Sequence, residues 1–587
     1  MKLWGASFLI ALLDTRAVWS FRPCPLRTVT HTVSHNARAR ISPPFATHTR
    51  PLFPKTIQPP RRSLVQSSSV TTNDNDAQTY TNHIPILPAS MAVGIVTAAM
   101  GFLYGKVLGL SVNAVWKTLP SMLLARMRMP ASFNPTIFIT GICTFGGLLV
   151  GILSLLFRDT FTVANFVSSL SRDPSDEIKL PQSLPSTRIH LLPLLLLSLV
   201  TSTFGFSVGP EAPMVCAGGL VGASMARWFA NGMTGVDNDG DTNASNDSNT
   251  NREEMLAYAG AAGALTAFMG IPIAGSIFAL ELTRSDAGFQ GGDYLAPTVL
   301  ASVAALTLIR GVLLPSAAVG GHFHYAAVGV LTGRIAMTTA ISCGLGGALV
   351  GTLFTKVVSL LKTVAWPVPK PKQQTPPSNS SNHRPWKYRE LLVKTTIGLL
   401  VGILSSRFPQ TLFWGEGSLQ CMIDGQQTSF AATKHGLGTL LTQGARVVVD
   451  PNLSFATPVQ AAQVGLAKLL AIALACAGKF PGGIIFPLFF AAAPLAHALV
   501  SSINVSHIFG GLLGGILGPT SLVVMCLMAS VQASVTRTPL ATVLILALTA
   551  SRATELSVML PACLISSYLG VFFSQWLSRS SYFSYSS

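Results

Sequence analysis

Apolar runs follow one another from residue 86 to residue 577, separated by short polar breaks. They fall near 86–111, 136–157, 189–208, 211–229, 255–270, 272–284, 294–314, 336–361, 391–406, 461–478, 486–502, 510–535, 539–550 and 556–577. A helix of about 20 apolar residues crosses a bilayer core. The longer runs therefore predict membrane-spanning helices. Others are cut short by Gly or Pro, a pattern that points to a transporter or channel interior rather than a simple bundle. Two stretches interrupt the series. Residues 231–252 are rich in Asn, Asp and Ser, and residues 367–385 in Pro, Ser and basic side chains. Both are expected to be disordered loops. Lys387 and Arg389 favour the cytoplasmic or stromal side for the second.

Composition agrees with that pattern. Of the 587 residues 49% are hydrophobic and 10% charged, against about 25% charged in soluble domains. The prediction is one large all-α polytopic membrane domain over residues 85–585, with membrane lipid as its surroundings. The net charge of +17 does not indicate nucleic acid as a partner. Residues 1–72 hold ten Lys/Arg and one Asp, so nine of those charges lie in the leader. The eight Cys are scattered, without a CxxC or a His/Cys cluster. No metal site, cofactor or disulfide framework is expected.

The leader has two parts. Residues 1–20 start with Lys2, run apolar from Leu3 to Leu13 and end in Ala17-Val18-Trp19-Ser20, as a secretory signal peptide does. Residues 21–80 begin at Phe21, are rich in Ser, Thr and Pro, and carry no acid before Asp74. That composition reads as a transit peptide. The two together resemble the bipartite plastid leader of algae with secondary plastids. The expectation is a multi-pass protein of a plastid membrane, thylakoid or envelope, from which the leader is removed.

One ionisable residue stands out. Glu211, in Gly209-Pro210-Glu211-Ala212-Pro213, lies between the apolar runs Leu191–Val208 and Met214–Ala226. A charge at membrane depth costs roughly 2.5–3.5 kcal/mol on insertion scales and marks function by default. The prolines and Gly209 break the helix there, which frees backbone N–H groups at a positive dipole end suited to an anion. A second copy of the pattern follows. Gly209 and Pro213 recur as Gly483 and Pro487, and Pro272-Ile273-Ala274 as Pro539-Leu540-Ala541, at nearly the same offset along the chain. Interrupted segments in corresponding places point to a site at a repeat interface.

These motifs resemble those of the CLC family of chloride channels and chloride–proton antiporters. Residues 209–213 are similar to its G-(K/R/P)-E-G-P motif, and Gly482-Gly483-Ile484-Ile485-Phe486-Pro487 to its G-G-x-F-x-P stretch. Pro272–Thr283 and Arg537-Thr538-Pro539-Leu540 resemble the segments that follow each. The resemblance implies a homodimer, each subunit having two inverted halves (about 85–315 and 336–585) whose short helix N-termini meet at the anion. It makes Glu211 the gating residue. Gly209, Pro210, Ala212, Gly483, Ile484, Ile485 and Phe486 would line the anion site, and Tyr582 would add a hydroxyl donor.

The departures bear on mechanism. The family's G-S-G-I-P motif is missing; the equivalent region holds Thr162, Ser168 and Ser169. No C-terminal CBS pair is expected, because the chain stops at Ser587. Family exchangers carry an internal proton-transfer glutamate where Leu282 stands here. Glu281, one position earlier, is turned by about 100° and is expected to make a polar contact elsewhere. The expectation is thus a passive chloride channel. A proton-coupled exchanger of chloride or nitrate and a non-conducting relative are the alternatives. A hydrolase would need a constellation such as Ser207 with His497, and His497 has no orienting acid, so no enzymatic activity is expected. His190, His322 and His324 show no partner pattern.

Overall fold

The computed structural model describes residues 86–126, 135–157, 165–166, 187–233, 242–283, 292–313, 323–328, 332–367, 385–426, 454–505, 517–550 and 556–578. It falls into two compact units, Pro25–His83 and the rest. The first unit lies outside the described residues, as do the expected signal and transit segments.

Sixteen α-helices occur among the described residues. The first eight are α1 (Ile86–Asn113), α2 (Leu119–Arg126), α3 (Pro135–Leu156), α4 (Thr187–Thr203), α5 (Glu211–Met233), α6 (Thr242–Met269), α7 (Pro272–Thr283) and α8 (Gly292–Thr307). The others are α9 (Gly333–Ala365), α10 (Pro385–Arg407), α11 (Leu419–Ile423), α12 (Pro458–Ala477), α13 (Ile485–Val505), α14 (Thr520–Thr536), α15 (Pro539–Thr549) and α16 (Leu556–Leu577). Among the described residues seven helices are long and apolar enough to cross a membrane, and four shorter apolar ones accompany them. On α9, Leu345, Leu349, Leu353 and Leu360 all point outward, 44–64% exposed. A row of bare leucines suits acyl chains, not water.

Two boundaries differ from expectation. The first polar stretch, 231–252, is not loop throughout, because α6 begins at Thr242. Asn, Ser and Asp cost a helix well under about 1 kcal/mol each, and the apolar part of α6 supplies the nucleus. Arg227 of α5 ties α6 three turns further on, through a 2.7 Å ion pair with Glu253. Likewise α10 starts at Pro385, ahead of the expected start at 391; proline is well suited to a first helical turn.

The packing repeats. In the first half α1, α6 and α8 pack on one another, α5 lies on α6, and α7 touches α6 and α8. In the second half α9, α14 and α16 form the matching trio, α13 lies on α14, and α15 touches α14 and α16. Counterparts also meet each other: α3 packs on α10 and α7 on α15. Gly147 of α3 and Gly398 of α10 sit backbone against backbone at that crossing.

Small residues make these close crossings possible, as membrane helices lack a hydrophobic driving force between them. A Cβ on Gly260 of α6 would run into the backbone of Gly218 and Gly222 on α5. By contrast, a Cβ on Gly141 of α3 meets nothing within 4 Å. Gly260→Ala should therefore lose about 1–3 kcal/mol of stability, while Gly141→Ala stays within about 0.5 kcal/mol of wild type. Thermal unfolding of the purified proteins in detergent checks this; equal midpoints would contradict the packing described.

Candidate functional site

The site is built on a turn and its counterpart in the second half. After α4 the chain bends at Gly205 and runs extended to Pro210; after α12 it bends at Lys479 and runs to Ile484. Gly205 has φ +81° and Lys479 φ +54°, so both copies use a left-handed residue at the same repeat position. The Gly205 side must stay bare, because a Cβ there would lie 2.8 Å from the Trp116 ring. Phe206 and Phe480, also equivalent, stack with centroids 4.2 Å apart. The two turns then pair. Gly209 N–H donates to Gly483 C=O at 2.8 Å, and Gly483 N–H returns the bond to Gly209 C=O at 2.5 Å.

Helix α5 starts just after Gly209 and Pro210, and α13 just after Gly483 and Ile484. The unpaired N–H groups of a first helical turn point back along the axis and carry its positive end. Pairing the glycines brings both helix starts to one place. Into that place folds the Glu211 carboxylate. It lies over Gly209 and Gly483, where a Cβ on either glycine would collide with it. Glu211 is fully buried, and neither carboxylate oxygen makes a hydrogen bond of ordinary geometry. The backbone N–H groups turned towards it are its own and that of Phe486.

The surroundings are apolar with a few polar groups. Ile484, Ile485 and Phe486 are buried, and Phe486 packs on Phe323 and Phe489. On one flank, Tyr104 of α1 shares a 2.9 Å hydrogen bond with Ser198 of α4 and lies within electrostatic reach of Glu211. The Ser202 hydroxyl is buried beside Tyr104, and that of Thr203 is buried without a partner among the described residues. On the other flank, a loop after α10 turns at Phe413 and Gly415, both left-handed. It carries Glu416, which accepts a 3.0 Å bond from Trp414 Nε1 and lies within electrostatic reach of Glu211. Thr411 C=O of this loop receives the Ser207 hydroxyl.

The structure thus gathers Gly209, Pro210, Glu211, Ala212, Gly483, Ile484, Ile485 and Phe486 at one point. Tyr582 lies outside the described residues, and so do Thr162, Ser168 and Ser169. Leu282 is buried at the end of α7. Glu281 is committed elsewhere: its two oxygens accept the N–H groups of Leu540 at 3.1 Å and Ala541 at 2.8 Å, at the start of α15. Ser207 and His497 do not form a pair, since His497 Nε2 bonds Ile423 C=O at 3.0 Å. No cluster of metal-ligating side chains occurs among the described residues.

Two residues were missed by sequence reasoning, Glu416 and Lys468. Lys468 is the one charged residue of α12 and is fully buried. Lys468 carries the signal that marked Glu211, a lone charge inside apolar sequence; Glu416 stands between Gly415 and Gly417, outside the apolar runs. The arrangement can accept a small anion in a water-poor site and can also fill that site with its own carboxylate.

The apolar helices of the fold define a multi-pass membrane protein. The family model for voltage gated chloride channels matches residues 176–571, more than half of the chain. The chain belongs to this family, the CLC family. Among solved structures, a slow cyanobacterial Cl−/H+ antiporter is similar at TM-score 0.60 and 15% identity, over 86% of this chain and 97% of that one. A CLC-type fluoride/proton antiporter matches at TM-score 0.54 and 18% identity, over 84% and 95%. A eukaryotic CLC transporter matches at TM-score 0.55 and 15% identity, over 85% and 73%. At these identities the likeness is one of fold. No curated protein matches the chain.

If Glu281 serves to cap α15, Glu281→Ala should lower stability by about 1–2 kcal/mol and leave anion flux in place. Unfolding midpoints and liposome flux measured on the same preparation check this. Loss of flux at unchanged stability would place Glu281 on the transport route instead.

Proposed function

We propose that this protein is a passive anion channel, chloride being its ion, in which the site at the start of α5 and α13 is the narrow point of the pathway and Glu211 its gate. The observation that carries this reading is the buried, unbonded Glu211 carboxylate lying against two helix N-termini held together by Gly209 and Gly483. A carboxylate in that position acts as a tethered anion. While it fills the site no halide enters, and when it is displaced or neutralised the free N–H groups accept one. Gly209, Pro210, Ala212, Gly483, Ile484, Ile485 and Phe486 supply the wall and the backbone donors, and Tyr582 a further hydroxyl.

The passive character rests on Leu282 and Glu281. An apolar residue stands where the resemblance expects a proton-transfer glutamate in exchangers, and the neighbouring carboxylate is spent on the backbone of α15. A second reading, proton-coupled exchange, is favoured by one observation: Glu416 places a second, half-buried carboxylate within electrostatic reach of Glu211. The antiporter names of two similar structures agree with that alternative. The protein works as a homodimer, as the family resemblance implies, and sits in a plastid membrane, a location carried by the leader over residues 1–80 alone.

Chloride flux in liposomes with pH recorded on both sides tests the proposal. The channel reading expects chloride to move without a fixed proton ratio. It also expects Glu211→Gln to speed flux at neutral pH by roughly tenfold or more, the gain from removing a blocking charge worth about 1.4 kcal/mol. Uphill proton movement at a fixed ratio to chloride would establish the exchanger instead. No anion movement in wild type or variant would mark a non-conducting family member.

A further inference from the structure

Lys468 is unexplained by the gate itself. It is the one charged residue of α12 and none of its surface is exposed. Its ammonium donates to Phe413 C=O at 2.6 Å and to Thr411 C=O at 3.1 Å. It also lies 4.8 Å from the centre of the Phe490 ring on α13. Among the described residues no carboxylate forms a salt bridge with it; Glu416, on the same loop, is bonded to Trp414 instead. A buried charge without a counter-ion is costly and is normally paired.

The position of Lys468 suggests what completes it. Thr411 C=O is shared: Lys468 Nζ and the Ser207 hydroxyl both donate to it. Ser207 closely precedes Gly209, and Gly209 lies directly under the Glu211 carboxylate. Phe490 stands one helical turn beyond Phe486, whose N–H faces that carboxylate. The cation therefore sits behind both turns that form the anion site, one carbonyl removed from the first. Holding two carbonyls needs only two donors, which a neutral amide also has. A contact with an aromatic face draws on the charge itself.

We propose that Lys468 is a specificity-determining residue: its ammonium is the fixed positive charge of the anion route, balanced by the negative group that occupies the site, the Glu211 carboxylate at rest and a halide in transit. It positions the Thr411–Phe413 loop against Ser207 and favours an anion over water between the helix ends. Its counterpart in the first half, at the offset that relates Gly209 to Gly483, is the buried Leu194, so the charge belongs to one half only. The inference rests on the reading that anions pass this site.

The test is chloride flux in liposomes as a function of chloride concentration, with thermal unfolding at several chloride concentrations, for Lys468→Met, Lys468→Gln and Lys468→Arg, each compared with the wild-type lysine and all in a Glu211→Gln background, where chloride does not merely replace a carboxylate of the same charge. The neutral variants should need about tenfold more chloride for half-saturation, a change of about 1.4 kcal/mol. They should also lose most of the chloride-dependent rise in unfolding temperature. Lys468→Arg keeps the charge and should stay within about threefold of wild type. A folded Met or Gln variant with wild-type half-saturation overturns the proposal, whatever its unfolding temperature. If neither neutral variant folds, Lys468→Arg decides: half-saturation near wild type supports a role for the charge, and a folded variant shifted by about tenfold or more overturns it. A wild-type protein that moves no anion overturns the transport reading instead; the chloride dependence of unfolding still tests Lys468.

Discussion

Two hydrogen bonds between Gly209 and Gly483 fix the geometry on which the rest of the site depends. Each is an ordinary backbone bond, worth about 0.5–1.5 kcal/mol net in water, but membrane depth leaves the same groups no solvent as an alternative. The reciprocal pairing forces the chain of each half to arrive at the same point and to start its next helix there. Glycine is required on both sides because the space above each is taken by the Glu211 carboxylate. The left-handed bends at Gly205 and Lys479 and the stacked Phe206–Phe480 pair bring the two turns into register. A non-glycine left-handed residue carries a strain of roughly 1–2 kcal/mol, and at Lys479 the surrounding contacts hold it.

The repeat makes the scaffold, and the differences between its copies make the site. At the offset that relates Gly209 to Gly483, Glu211 corresponds to Ile485, Ser207 to Pro481 and Lys468 to Leu194. At the offset that relates Pro272 to Pro539, Glu281 corresponds to Leu548. Backbone donors thus come from both halves, whereas the charged groups each come from one. On the proposed reading, a symmetric cradle of N–H groups accepts an anion from either side, and a single carboxylate and a single ammonium give that cradle a gate and a bias. Glu281 applies the same logic outside the pathway, where its carboxylate satisfies the first N–H groups of α15.

The sequence made the central motif legible because chemistry and pattern coincide there: an acid and two helix breakers inside apolar residues, echoed at a fixed offset. The broken helices and the pairing partner Gly483 followed from the same echo. Lys468 was hidden because one charge in the whole of α12 does not disturb an apolar run. Its partners, the carbonyls of Thr411 and Phe413, lie far back along the chain. Glu416 stands between two glycines, outside every apolar run, so no contrast of charge against apolar sequence marks it. The bonds of Glu281 to α15 join opposite halves of the chain, and no local pattern encodes such a contact. The start of α6 at Thr242 was obscured because its polar first turns gain their order from the apolar helix that follows them.

The central claim is that one anion site lies between the starts of α5 and α13 and that Glu211 fills it. Anomalous diffraction from crystals of Glu211→Gln grown in bromide tests this most directly. A bromide peak within hydrogen-bond reach of the N–H groups that follow Gly209 and Gly483, absent from wild-type crystals in which the carboxylate occupies that place, is the predicted result. Bromide bound only elsewhere in the variant, or bound at this point with the wild-type carboxylate still in place, would contradict it.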